Sequence, residues 1–189
     1  MEFPPVIILR GGPAVGKTIL AALVADLLPR SAIVEQDVLR YMVRGGLVAA
    51  RRGVHPALDP EGYATQCALA DAHALALACS FTAAGFATVV AGFDGGESAS
   101  SFGPSPAVGW RPVPEDALPG RPVHTFILDA TPDVLVGRLR MRGLDLNAIT
   151  FVLRQRERFL AGVPPTLPVV DSSATPPEVL ARRIVETVR

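Results

Sequence analysis

Gly11-Gly12-Pro13-Ala14-Val15-Gly16-Lys17-Thr18 completes the spacing G-x-x-x-x-G-K-T near the N-terminus, and Lys17 is the one lysine in a chain that carries seventeen arginines. An ammonium is a compact point charge on a slim stem, whereas the guanidinium fork would overfill a tight loop wrapped around phosphate. A composition that places arginine at every other cationic position therefore points to a task at position 17 that arginine cannot perform. On one side of the loop, Phe3 to Arg10 is a short apolar run suited to a buried parallel strand; on the other, Thr18 to Leu28 reads as an apolar helix. Strand, glycine loop and helix in that order form an anion site. The loop N–H groups and the positive helix end would hold a β-phosphate, Lys17 would reach the β- and γ-phosphates, and the Thr18 hydroxyl would bind Mg²⁺. The candidate nucleotide-binding segment runs through Gly11, Gly12, Pro13, Ala14, Val15, Gly16, Lys17, Thr18 and Ile19.

Length and composition bound the rest. With 189 residues, 49% of them hydrophobic, the chain can bury one sizeable core, and residues 1–189 read as a single domain. A formal net charge of zero gives no broad electrostatic footprint for nucleic acid and favours a small-molecule partner. The start, Met1-Glu2-Phe3-Pro4-Pro5, lacks a basic region and runs straight into the first expected strand, unlike a secretory signal. The apolar stretch from Ala64 to Ala91 is interrupted by Asp71 and His73, which makes it poor material for a membrane span. Cys67 and Cys79 lie twelve residues apart on an expected helix without ligand-spaced histidines, so buried free thiols in a reducing cytoplasm are expected.

Further strands are expected at Ser31 to Val34, Phe86 to Ala91, Val123 to Leu128 and Leu167 to Val170. Helical patterns separate most of them. Glu61 to Ala84 is rich in alanine and leucine and stops before Gly85; Thr131-Pro132-Asp133 signals a helix start with a cap, a proline and an acid; Asn147 to Leu160 and Pro177 to Val188 complete the set. This alternation predicts an α/β fold: a parallel sheet with helices on both faces and ligands at the carboxyl ends of the strands.

The end of the second strand carries the next candidates, Glu35-Gln36-Asp37-Val38-Leu39-Arg40. Phosphoryl transfer to a hydroxyl needs a carboxylate to orient or accept the proton, with cations around the moving group. Asp37 suits that role, and Arg40 lies one helical turn away, where it would hold a polar or anionic part of a substrate. The alternative use of Asp37 is to cap the following helix.

Together, the glycine loop, the Asp-x-x-Arg of Asp37 to Arg40 and the Arg-x-x-x-Arg of Arg138 to Arg142 resemble the small P-loop kinases. That group includes shikimate and gluconate kinases, chloramphenicol phosphotransferase, zeta toxins and the kinase domain of polynucleotide kinases. The likeness covers nearly the whole chain, including the ending Val169-Val170-Asp171-Ser172-Ser173 with Thr175-Pro176-Pro177-Glu178. It implies a three-layer fold with a five-stranded parallel sheet, ATP with Mg²⁺, and transfer of the γ-phosphoryl group to a hydroxyl. By the same resemblance Asp37 is the base or hydroxyl-orienting carboxylate, Arg40 a substrate contact, Glu35 an outer metal ligand, and Arg138 and Arg142 catalytic lid arginines on ATP, with the lid within 138–158.

Two segments depart from that pattern. The third strand is followed by Ala91-Gly92-Phe93, with the acid Asp94 arriving late, so either Asp94 or Glu35 supports the metal, or Asp94 is a turn residue. Gly95 to Pro122 holds six prolines, five glycines and the lone Trp110 where such kinases usually place a helix; it reads as an acceptor-binding flap or as an irregular surface loop. Arg154, Arg156 and Arg158 read as a solvated helix face, His73 as packed on its helix, and Arg44, Arg51 and Arg52 as anion contacts or surface positions. The expected activity is an ATP-dependent kinase acting on a small hydroxyl compound. A zeta-like or 5′-hydroxyl nucleic-acid kinase, or a nucleotide-dependent switch, are the alternatives.

Overall fold

The computed structural model describes residues 3–48, 59–92, 112–114 and 116–188. Five strands, β1 (Val6–Arg10), β2 (Ser31–Glu35), β3 (Ala87–Ala91), β4 (Val123–Asp129) and β5 (Val169–Asp171), form one sheet in the order β2-β3-β1-β4-β5. Every neighbouring pair is parallel. The helices are α1 (Lys17–Asp26), α2 (Gln36–Arg40), α3 (Pro60–Ala83), α4 (Pro132–Met141), α5 (Leu146–Gly162) and α6 (Pro177–Val188). The expected parallel sheet between helical layers is present.

The central strand explains the layering. Val6, Ile7, Ile8 and Leu9 are all fully buried, and the strand period of two sends them alternately to opposite faces. Ile7 and Leu9 join the larger cluster, with Leu20 and Val24 of α1, Leu135 and Leu139 of α4, Ile149 of α5 and Ile184 of α6. Val6 and Ile8 face Ala74 and Ala78 of α3, with Leu118. Among the described residues a third, small cluster joins Val48, Tyr63 and Cys67. Each fully buried aliphatic side chain contributes about 1.5–3 kcal/mol, so β1, with apolar partners on both sides, is the natural centre of the sheet.

Local chemistry sets the element ends. β1 begins at Val6 and not at Phe3, because Pro4 and Pro5 have no N–H to give a ladder; the Pro5 carbonyl still accepts from Thr88 N–H at 3.0 Å. β5 likewise begins at Val169, after Pro168, whose carbonyl accepts from Ile127 N–H at 3.0 Å. Asp59 caps α3 by accepting from Gly62 N–H at 2.8 Å, and the helix leaves through Gly85, at φ 83°, into β3. Thr131 stands at the N-cap of α4 without a side-chain cap bond; its own N–H donates to Ser173 Oγ at 2.8 Å. Both cysteines are free thiols; Cys67 is buried as expected, but Cys79 is only half-buried, at the margin of α3 where its Sγ donates to the Ala117 carbonyl at 3.4 Å. His73 is exposed on α3, not packed as expected, because Ala74 and Ala78 form the buried stripe. No helix among the described residues is long and apolar enough to cross a membrane.

Candidate active site

The glycine loop leaves β1 and turns into α1 at the carboxyl end of the sheet, where side chains from β2, α2 and α3 join it around a cleft of about 220 Å³. The loop has little freedom to change. Gly11 has φ 143°, and a Cβ there would lie 2.2 Å from the Leu128 carbonyl oxygen of β4. Gly16 has φ 99°, a left-handed conformation that favours glycine, at the entrance of α1. Gly11→Ala is expected to destabilise the fold by about 3 kcal/mol or more, from combined overpacking and backbone strain. Thermal denaturation measures this; an unchanged melting temperature would mean that the loop can retreat from β4.

Lys17 crosses the loop and donates through Nζ to the carbonyls of Gly11 and Gly12, the latter at 3.0 Å. Thr18 Oγ1 donates to Glu35 Oε2 at the tip of β2, at 3.3 Å. The structure thus brings a hydroxyl and a carboxylate together from two elements at the cleft. These hard oxygen donors fit Mg²⁺, which takes few protein ligands and completes its shell with phosphate and water. Among the described residues no group of three or more His, Cys, Asp or Glu side chains could hold a metal unaided.

Asp37 and Arg40 occupy the first turns after β2. Their ion pair spans 3.2 Å, with the Asp37 side chain 75% exposed and that of Arg40 only 10%. Arg40 is held between aromatic rings, its guanidinium carbon 5.1 Å from the Tyr41 centroid and 5.0 Å from that of Tyr63. Burial alone would lower the Arg40 pKa, but Tyr63, Asp37, Cys67 and Tyr41 together outweigh it and leave the pKa raised. Arg40 is a fixed cation, and Asp37 presents its carboxylate to the cleft.

The arginines separate. Arg142, exposed at the end of α4, lines the cleft with Lys17, Thr18, Glu35, Asp37 and Arg40. Arg138, one turn earlier, is outside that lining and is turned onto the carbonyl of Ala14 and onto Ser172. Arg154 and Arg158 are exposed, as a solvated face would have them. Arg156 departs from that reading: Nε and Nη2 make a bidentate pair with Asp129 at 2.7 and 2.6 Å, tying α5 to the tip of β4. That bond raises the Arg156 pKa, against a smaller opposing effect of burial. Arg44 is exposed; Arg51, Arg52, Asp94, Trp110 and residues 95–111 of the proline-rich segment lie outside the described residues.

Sequence reasoning passes over Gln36, Tyr63, Cys67 and Gly92, which also line the cleft. Gly92 accounts for the missing acid at the end of β3. It has φ 137°, and a Cβ would sit 2.4 Å from Gln36 Cβ, so the strand tip has no room for a side chain. Gln36 in turn donates from Nε2 to Asp71 Oδ1, which fixes the start of α2 against α3.

No family model matches the sequence, and no curated protein sequence matches it. Solved structures do match. The tunicamycin resistance protein of Deinococcus radiodurans gives a TM-score of 0.63 at 21% identity, covering 98% of this chain and 95% of that one. Shikimate kinase from Acinetobacter baumannii, in complex with shikimate, gives 0.59 at 15% identity, covering 99% and 94%. The fold is that of the P-loop kinases. The gluconokinase of Sinorhizobium meliloti matches with a TM-score of 0.55 at 18% identity, over the full length of this chain and 93% of its own. In this P-loop fold the eight-residue motif occupies the turn from β1 to α1, and the candidate acceptor residues follow β2.

Proposed function

We propose that the chain is an ATP-dependent phosphotransferase that moves the γ-phosphoryl group to a hydroxyl of a small molecule. The observation that carries this reading is the convergence of Asp37 and Arg40 on the same cleft as Lys17 and Thr18. A nucleotide site alone needs the loop; an exposed carboxylate facing that loop from α2, just beyond β2, is what an acceptor hydroxyl needs. The likeness of fold to a shikimate kinase and a gluconokinase supports an acceptor of similar size and hydroxyl chemistry.

Mg²⁺ bound with ATP would supply charge neutralisation of the β- and γ-phosphates. The chain's own residues would do the rest. Loop N–H groups and Lys17 bind the phosphates, and Thr18 with Glu35 holds the cation side. Arg142 adds positive charge toward the moving phosphoryl group. Asp37 orients the acceptor hydroxyl and takes its proton as the oxygen attacks, and Arg40 keeps that carboxylate in place and contacts the acceptor. Net neutrality of the chain disfavours a long nucleic-acid substrate.

The experiment is ADP release from Mg-ATP by the purified protein across sugars, antibiotics, nucleosides and short oligonucleotides, with Lys17→Ala as the blank. An acceptor-dependent rate is the expected result. Binding of ATP with slow, acceptor-independent hydrolysis across the panel would replace the kinase with a nucleotide-dependent switch.

A further inference from the structure

We propose that Ser172 and Arg138 are positioning residues for phosphate binding. They clasp the outer side of the glycine loop so that the N–H groups of Val15 and Gly16 face the nucleotide; this rests on the phosphate-binding role given to the loop above. Ser172 follows β5 and is 9% exposed. Its Oγ lies 2.8 Å from the Val15 carbonyl and 3.0 Å from that of Asp129, sharing its one hydrogen between them. Arg138 Nη1 donates to the same Oγ and to the Ala14 carbonyl, each at 3.2 Å, and Nη2 donates to the Ser172 carbonyl at 2.6 Å. The Ser172 N–H is itself anchored on the Asp129 carbonyl at 2.8 Å.

Two consecutive loop carbonyls are therefore fixed by residues from the far end of the chain. In a trans peptide the C=O and the following N–H point to opposite sides, and the described residues hold no cis peptide bond. Holding the carbonyls of Ala14 and Val15 on the clasp side turns the N–H groups of Val15 and Gly16 the other way. That side is the cleft, where Gly16, Lys17 and Thr18 are lining residues.

Ala14 gives an independent reason for a clasp. It is the one non-glycine among the described residues with positive φ, at 64°. An L-residue persists there only where its surroundings over-determine the backbone. The Arg138 bond to its carbonyl, made at the strained residue itself, is such a constraint. Arg138 thus acts at the back of the loop, whereas Arg142 on the same helix reaches the cleft.

The test is calorimetric binding of Mg-ATP, Mg-ADP and inorganic tripolyphosphate to the full chain, wild type or carrying Ser172→Ala, Arg138→Ala, both, or Ser172→Thr, with Lys17→Ala as the reference for loss of phosphate binding. Each alanine variant leaves a loop carbonyl without its partner and is expected to weaken all three probes about tenfold, to a similar extent, because only phosphate reading is impaired. Since the two residues act as one unit, the double variant should lose little more than the weaker-binding single variant. Ser172→Thr, which keeps the hydroxyl, should bind more tightly than Ser172→Ala. Circular dichroism checks folding, and Arg138→Ala carries the same expectation if Ser172→Ala does not fold. A loss for ATP and ADP but not for tripolyphosphate would mean that Arg138 touches the nucleoside, and overturns the clasp. Unchanged affinities also overturn it, while a loss confined to Lys17→Ala leaves the loop's role intact. A wild-type chain that binds no probe overturns both readings.

Discussion

Replacing Lys17 by alanine is expected to lower acceptor phosphorylation by about 10³-fold, because removing one preorganised donor to a developing oxyanion costs about 10²–10³ and a charged donor belongs at the upper end. ATP affinity should fall as well, since the ammonium would contact the phosphates in the ground state. The informative partner is Lys17→Arg. Nζ lies within hydrogen-bonding reach of both the Gly11 and Gly12 carbonyls, inside a loop where even a Cβ on Gly11 would meet the Leu128 carbonyl oxygen. A planar fork has no room there, so charge alone should not rescue the variant. Steady-state ADP release measures both effects. Recovery of more than a small part of the rate by arginine would show that position 17 needs only a cation.

Asp37→Asn is expected to separate binding from chemistry. Asparagine keeps the shape and a hydrogen-bonding oxygen but cannot accept the hydroxyl proton, a contribution of about 10²–10⁴ in rate. Calorimetric affinity for Mg-ATP should stay within about twofold of wild type, since Asp37 reaches the cleft from α2 and not from the loop. The Arg40 ion pair bears little on stability, because the Asp37 side chain is 75% exposed and pairs of that kind contribute about 0–1 kcal/mol. A folded variant that binds ATP and turns over slowly is therefore the prediction. Full acceptor phosphorylation by Asp37→Asn would leave the Arg40 ion pair as the use of this aspartate, which stands inside the first turn of α2 and not at its Glu35 N-cap, and would move the base elsewhere.

The parts of the molecule written in contiguous residues are those the sequence discloses. The strand, loop and helix around Lys17 are one such run, and so is Glu35 to Arg40, because the chain order of a parallel sheet already places the tips of β1 and β2 on the same side. Alternation of apolar and helical patterns was enough for all five strands. What stays hidden is partnership across long separations. Arg138 carries no mark that its partners are Ala14 and Ser172, and Arg156 none that its partner is Asp129. A helix face reads as solvated when its neighbour is supplied by another strand. Tyr63 and Cys67 look like any apolar stripe of α3 until the fold brings them to Arg40. Gly92 is legible only as an exception: a missing acid, whose reason is the nearness of Gln36.

The small cluster of Val48, Tyr63 and Cys67 stands apart from the two that enclose β1 and seat the glycine loop, yet two of its three members line the cleft. The glycine-loop half of the cleft thus shares its packing with the sheet, whereas the Tyr63 and Cys67 wall rests on a small cluster of its own at the first turns of α3, a helix that reaches β1 only farther along, through Ala74 and Ala78. On the reading proposed above, substitutions in that wall are expected to bear less on nucleotide binding than substitutions beside the glycine loop. If the chain is the kinase proposed above, a lineage built this way would be free to change its acceptor while keeping its hold on the phosphate donor, and a directed search for new acceptors would begin at Tyr63 and Cys67.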